Sequence, residues 1–155
     1  MNIILREAEE KEAPEILHVM QAAFLEYDGK LNPPSGVQHE TIESVKQKIR
    51  TGNFVVAEVN HETVGCAFYE DKGSYVDLGR LSVIPQYRNQ GIGKMLIGYV
   101  EKKAREKQIP SVRLGVRVVL NALRQYYEGL CYKVISFETH EGYSEPTYVL
   151  MEKAL

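Results

Sequence analysis

The chain has 155 residues, 44% of them hydrophobic, and a formal net charge of −2. That size and apolar share fit one globular domain over residues 1–155, and so small a charge gives no global pull toward nucleic acid or an anionic membrane surface. Cys66 and Cys131 have no CxxC spacing and the histidines at 18, 39, 61 and 140 are scattered, which excludes a disulfide framework and a metal site and fits a reducing cytoplasm.

In chain order, residues 3–5 read as a short strand, too brief an apolar run for a signal peptide. Residues 7–27 read as a helix, with Ile16, Val19, Met20, Ala23, Phe24 and Tyr27 on one face and Pro14 near its start. Residues 28–36 hold two glycines, two prolines and a serine and read as a loop. Residues 41–49 form a second, shorter helix, closed by Thr51-Gly52-Asn53. Residues 54–59 and 64–69 are β-branched and aromatic runs joined as a hairpin. A third run covers 75–83. No segment approaches the length of a membrane span.

After a bend at Pro85 comes Arg88-Asn89-Gln90-Gly91-Ile92-Gly93-Lys94, then a helix with Ile92, Met95, Leu96, Tyr99, Val100 and Ala104 on one stripe. Lys102, Lys103, Arg105 and Lys107 sit at its C-terminal end, where the helix dipole favours cations. Pro110 stops the helix. Residues 111–118 form a strand, 121–129 a short helix, and 132–137 and 147–151 a closing pair of strands.

Two glycines at the mouth of a helix let backbone approach a ligand, and unpaired N–H groups there favour an anion. Arg88 and Lys94 add full positive charge. A Walker loop is excluded, because Lys94 is followed by Met95 rather than Ser or Thr and Arg88 stands where its first glycine belongs. A dinucleotide fingerprint is excluded, because Leu96 takes the place of its third glycine. The stretch from Asp77 to Lys94, with its Arg-x-x-Gly-x-Gly hexad between strand and helix, resembles the pyrophosphate loop of the GNAT family of N-acetyltransferases. The element order β-α-α-β-β-β-α-β-α-β-β resembles that family along essentially the whole chain.

The resemblance implies an α/β fold with a mixed, mostly antiparallel central sheet flanked by helices. It also implies a V-shaped split between the strands ending near Val83 and Val118, where coenzyme A enters. The implied reaction is acetyl transfer from acetyl-CoA, as cosubstrate and without a metal, to a primary amine of a small molecule through a tetrahedral intermediate. Backbone of Arg88, Asn89, Gln90, Gly91, Ile92, Gly93 and Lys94 would hold the pyrophosphate. Leu81 and Val83 would pair with the pantetheine amides, and the Val83 N–H would serve the oxyanion. Tyr127-Glu-x-Leu resembles the family segment whose tyrosine faces the CoA sulfur, so Tyr127 is the expected proton donor, rather than Tyr126. The family's glycine there is Cys131, so the turn after the helix is expected to be made differently. Asn121 resembles a pantetheine contact; its ordinary alternative is a helix cap. Asp77 stands where many members carry a glutamate base, with Glu70 the second candidate. Alternation would put Asp77, Gly79, Leu81 and Val83 on one face. The ordinary alternative for Asp77 is an ion pair with Arg80 or Arg113.

The acceptor would lie between residues 27–39 and 140–148. A closed pocket roofed by residues 27–39 would favour a metabolite, and an acidic groove open at both ends a peptide. The rival readings are a protein or peptide N-acetyltransferase and a non-catalytic acyl-CoA-binding module. The expected setting is the cytoplasm, with no nucleic-acid or membrane partner, as a monomer or homodimer.

Overall fold

The computed structural model describes residues 2–155. In chain order it contains β1 (Ile3–Glu7), α1 (Ala13–Phe24), α2 (Ile42–Thr51), β2 (Asn53–Val59), β3 (Glu62–Asp71), β4 (Val76–Val83), α3 (Ile92–Glu106), β5 (Ser111–Arg117), α4 (Asn121–Gly129), β6 (Lys133–Glu138) and β7 (Tyr148–Ala154). The expected order of elements is therefore present.

The strands form one sheet in the order β1-β2-β3-β4-β5-β7-β6. Neighbours run antiparallel except β4 and β5, which are parallel. That one parallel contact is short: β4 and β5 pair only at Val76–Val112 and Asp77–Arg113. Beyond it β4 runs on to Val83 and β5 to Arg117 without pairing, so the sheet splits into a V with Asp77 at its apex.

Apolar side chains cover both faces of the sheet. On one face the α3 stripe Ile92, Leu96, Val100 and Ala104 packs with Val55, Ala67, Leu78 and Leu114. Each large side chain buried there contributes ~1.5–3 kcal/mol. On the other face Ile16, Val19 and Met20 of α1 and Val45 of α2 pack on Phe54, Val56, Cys66 and Phe68.

Several local expectations need correction. The first helix begins at Ala13, not residue 7, because Glu7 still pairs with Val55 in the sheet. Residues 8–12 carry no apolar stripe, and the Glu12 carboxylate accepts the Glu9 N–H at 2.8 Å before the helix starts. At its far end the chain tightens into a 3-10 turn over Leu25–Tyr27. The last strand extends to Ala154, because Glu152, Lys153 and Ala154 find partners on β5.

The largest correction concerns β4. Phe68 lies opposite Gly79 and Cys66 opposite Ser82, so β4 carries one extra residue between them. Arg80 takes up this bulge at φ 53°. A bulge reverses the alternation beyond it. Asp77 and Gly79 lie opposite Glu70 and Phe68, on the α1 face, whereas Leu81 and Val83 pack into the α3-side cluster. The four residues do not share one face.

Candidate active site

The split opens into a cavity of about 890 Å³ that runs from the N-terminus of α3 past β4 and β5 to the end of α1 and the β6–β7 connection. Its α3 end carries the glycine-marked helix N-terminus expected from the sequence. Asn89 and Gly91 both take left-handed backbone, at φ 62° and 81°. The first bond inside α3 joins the Met95 N–H to the Gly91 carbonyl at 2.9 Å, so the N–H groups of Ile92, Gly93 and Lys94 have no partner within the helix. Gly91 is needed for its conformation. Gly93 is not: a Cβ there would meet nothing nearer than the Tyr126 Oη at 3.6 Å. The fold has room for a side chain at Gly93, and the glycine leaves that space open. Lys94 is exposed beside it.

Arg88 behaves differently. Its guanidinium is engaged by protein groups, with Nη2 donating to the Ala23 carbonyl at 2.8 Å, Nε to the Val83 carbonyl at 3.3 Å and Nη1 at 2.7 Å from a Glu26 carboxylate oxygen. It braces the loop against the end of α1 rather than offering its charge to a phosphate. Of the other predicted residues, Asp77, Leu81, Val83, Asn89, Gly91, Ile92, Gly93, Lys94 and Tyr127 line the cavity. Gln90 and Asn121 are exposed and do not. Asn121 is the first residue inside α4, behind a Leu120 cap, so it is neither a cavity residue nor the cap.

Val83 presents backbone to the split. The Ile84 N–H bonds the Val64 carbonyl at 2.9 Å, and in an antiparallel pair the next residue points its N–H and C=O the opposite way. The Val83 N–H therefore faces the gap left by β5.

Asp77 is half-buried at the apex. Both candidate ion-pair partners are engaged elsewhere, Arg80 with Glu40 at 2.8 Å and Arg113 with Glu152 at 2.7 Å. The Asp77 carboxylate makes no hydrogen bond or ion pair among the described residues. Burial pushes its carboxyl above the ordinary aspartate value, Lys72 opposes this and Glu70 adds to it. Glu70 itself pairs with Lys72 at 3.6 Å and lies outside the cavity.

Tyr127 is 6% exposed and Tyr126 42%. Tyr127 is held by the end of α4: the Tyr132 N–H bonds its carbonyl at 3.1 Å and the Cys131 N–H bonds the Glu128 carbonyl at 3.0 Å, the paired bonds of a Schellman cap. Cys131 takes the left-handed position at φ 73°. The turn is thus made as a glycine would make it, with a cysteine accepting the strain. The Tyr127 ring packs edge-on against Tyr132 at 5.9 Å, and the Tyr132 hydroxyl donates to Glu101 at 2.9 Å. Burial raises the Tyr127 phenol well above its ordinary value, so it stays protonated at neutral pH.

The far end is roofed by residues 28–39, tied down from three sides. Arg117 on β5 donates to the Pro33 and Pro34 carbonyls at 2.6 and 3.2 Å. The Tyr143 hydroxyl on the β6–β7 connection donates to Asn32. Arg80, aimed by the bulge, lies so close to Gly36 that a Cβ there would come within 2.8 Å of it. The sequence reading missed Arg117. The signal lay in Arg113-Leu114-Gly115-Val116-Arg117, where cations recur on the face opposite the buried Leu114 and Val116.

A family described as the acetyltransferase (GNAT) family matches residues 13–131 of this chain. An acetyltransferase of Pectobacterium atrosepticum is 37% identical over 82 residues, which are 53% of this chain and 58% of that protein. One of Sodalis glossinidius is 37% identical over 81 residues, 52% of this chain and 57% of that protein. The matches thus span somewhat over half the length of these relatives. Among solved structures, a PaiA N-acetyltransferase of Thermoplasma acidophilum in complex with coenzyme A superposes with TM-score 0.84, at 22% identity and over 100% of both chains. A ribosomal-protein-S18-alanine N-acetyltransferase of Escherichia coli superposes with TM-score 0.80, at 15% identity over 99% of this chain and 94% of that one. At these identities the structural likeness speaks for the fold. The chain belongs to the GNAT acetyltransferase family.

Proposed function

We propose that this chain is an acetyl-CoA-dependent N-acetyltransferase whose acceptor is a primary amine of a small molecule. The observation that carries this reading is the continuity of the cavity. It joins an anion-ready helix N-terminus, a split strand edge, a half-buried unpaired carboxylate and a roofed end. The pyrophosphate fits the free N–H groups at Ile92, Gly93 and Lys94, the space over Gly93 and the Lys94 ammonium. Gly91 and Asn89 shape that cradle. Arg88 holds it to α1. Leu81 and Val83 line the path of the pantetheine arm.

In the reaction, Asp77 accepts the proton lost by the amine, through a water because an aspartate is short. Its raised affinity for protons makes it a stronger base than an exposed aspartate. The Val83 N–H donates to the oxyanion formed as nitrogen attacks the thioester carbonyl. Tyr127 donates from its hydroxyl to the sulfur as the C–S bond breaks. A phenol near ~10 or above gives its proton to a thiolate of ~8.5–9 only uphill, so Tyr127 acts mainly by a positioned hydrogen bond. Solvent then supplies the thiolate's proton and Asp77 returns its own to solvent, so the products are the acetamide and CoA thiol.

The roof over residues 28–39 favours a metabolite over a peptide, since its ties to β5 and to the β6–β7 connection close one side of the acceptor end. Glu138, Glu141 and Glu145 lie outside the cavity and do not make an acidic groove of it. The test is thiol release from acetyl-CoA with amino acids, polyamines, aminoglycosides and peptides as acceptors. The reading expects turnover with a small amine and little with peptides. Turnover confined to peptides would overturn the small-molecule acceptor.

A further inference from the structure

Three arginines line the cavity, and two of them face a carboxylate of the chain itself. Arg80 pairs with Glu40 at 2.8 Å and Arg88 with Glu26 at 2.7 Å. Arg117 does not. Among the described residues it touches only the carbonyls of Pro33 and Pro34, and no carboxylate stands within ion-pair reach. A partly buried guanidinium without a counter-charge is costly to fold around.

We propose that the acceptor carries a carboxylate as well as its amine, and that Arg117 binds it. This rests on the acetyl-transfer reading of the same cavity and adds the class of acceptor, an amino acid or a related amino-carboxylate.

The placement fits both ends of such a molecule. Arg113, Gly115 and Arg117 alternate with Val112, Leu114 and Val116, which point into the α3-side cluster. Arg117 therefore lies on the same face as Asp77, away from α3 and its phosphate cradle. Asp77 pairs in register with Arg113, four residues earlier on β5, which sets the two groups roughly 13 Å apart along the strand at the backbone. The Arg117 side chain and a water at Asp77 take up part of that span, which leaves room for an acceptor whose amine and carboxylate are set several bonds apart.

The guanidinium is also preorganised. Five N–H donors are available, two are fixed on the prolines, and the remaining donors keep the fork geometry that suits a carboxylate. Holding it by carbonyls leaves its charge unspent. The surroundings do not compete: His140 packs tilted against Tyr148 at 4.9 Å, and partial burial together with Arg117 lowers its affinity for protons. In so sheltered a place a charge-assisted pair is stronger than at an open surface.

The experiment compares amino acids with their own carboxamides and decarboxylated amines as acceptors for the wild-type enzyme. Acetyl-CoA binding is measured separately by calorimetry. The expected result is a kcat/KM at least about tenfold higher for the carboxylate, expressed mainly in KM, with the preference lost in Arg117→Gln and partly restored in Arg117→Lys. Equal use of carboxylate and amide by the wild type would overturn the proposal, and this comparison needs no variant to fold. Loss of all acceptors alike in a folded Arg117→Gln, with the preference for carboxylate intact, would make Arg117 only a brace for the roof. Failure to bind acetyl-CoA would remove the acetyl-transfer reading and this inference with it. Retained binding without a carboxylate preference removes this inference alone.

Discussion

Asp77 shows how a residue's surroundings can argue for a role. A half-buried carboxylate with its neighbouring arginines engaged elsewhere is unfavourable to the fold. Its raised proton affinity means that its stabilising contribution is complete below the unfolded value of ~3.9 and is lost as pH rises through the folded value. Asp77→Asn should therefore melt higher than wild type at neutral pH, by a margin that closes as pH falls toward ~4. The same variant should lose activity, most of all below pH ~8, where amines of pKa ~10 are almost wholly protonated. Calorimetric melts and pH–rate profiles check the two halves; a variant that is less stable and whose activity ratio to wild type is flat with pH would return Asp77 to an ordinary structural role. Tyr127→Phe should lower kcat by about tenfold to a thousandfold while acetyl-CoA affinity holds. Tyr126, whose hydroxyl lies by Gly93, should when changed to Phe alter acetyl-CoA affinity instead; kinetics showing the opposite pattern would exchange the two roles. Cys131, strained at φ 73°, should tolerate glycine with a gain of ~0.5–1 kcal/mol in urea unfolding, and a loss would show that its side chain contributes more than its backbone costs. That Asp77 and Tyr127 line one cavity was legible from their setting in sequence. The Arg80 bulge was not, because the left-handed position is filled by an arginine rather than a glycine, and neither was Arg88's attachment to the Ala23 carbonyl, which depends on where a distant helix ends.

At the scale of elements, periodicity placed every helix and strand but not their ends. The first helix begins late because Glu7 finds its strand partner in Val55, far along the chain, and no local pattern encodes that. The β4 faces were misassigned for a similar reason, since alternation holds only until an extra residue is inserted. The roof over residues 28–39 was legible only as a loop. Its function as a roof comes from side chains on three other elements, Arg80, Arg117 and Tyr143. Removing one tie by Tyr143→Phe should free Asn32 and raise KM for the amine severalfold, with little change in acetyl-CoA affinity; steady-state kinetics in which both substrates suffer equally, or neither does, would contradict this division of the cavity.

For the molecule as a whole, the decisive feature is a sheet that stops pairing. Two residue pairs join β4 to β5, and the strands then part, leaving main-chain groups such as the Val83 N–H for a ligand. The helix after β4 meets that gap with its own unpaired N–H groups. Asp77 lies at the apex and the roofed end of the cavity beyond it. Occupation of this split by acetyl-CoA, on which the proposed function rests, can be tested directly at Gly93. Gly91→Glu would confound binding with backbone strain. Gly93 has helical backbone and room for a side chain, and a glutamate in the first turn of a helix favours folding while it places bulk and negative charge at the proposed pyrophosphate site. Titration calorimetry with acetyl-CoA should show one site on the wild type and an affinity at least about a hundredfold weaker in a Gly93→Glu protein of unchanged circular dichroism. Equal affinity in the two proteins, or no binding to the wild type, would contradict it.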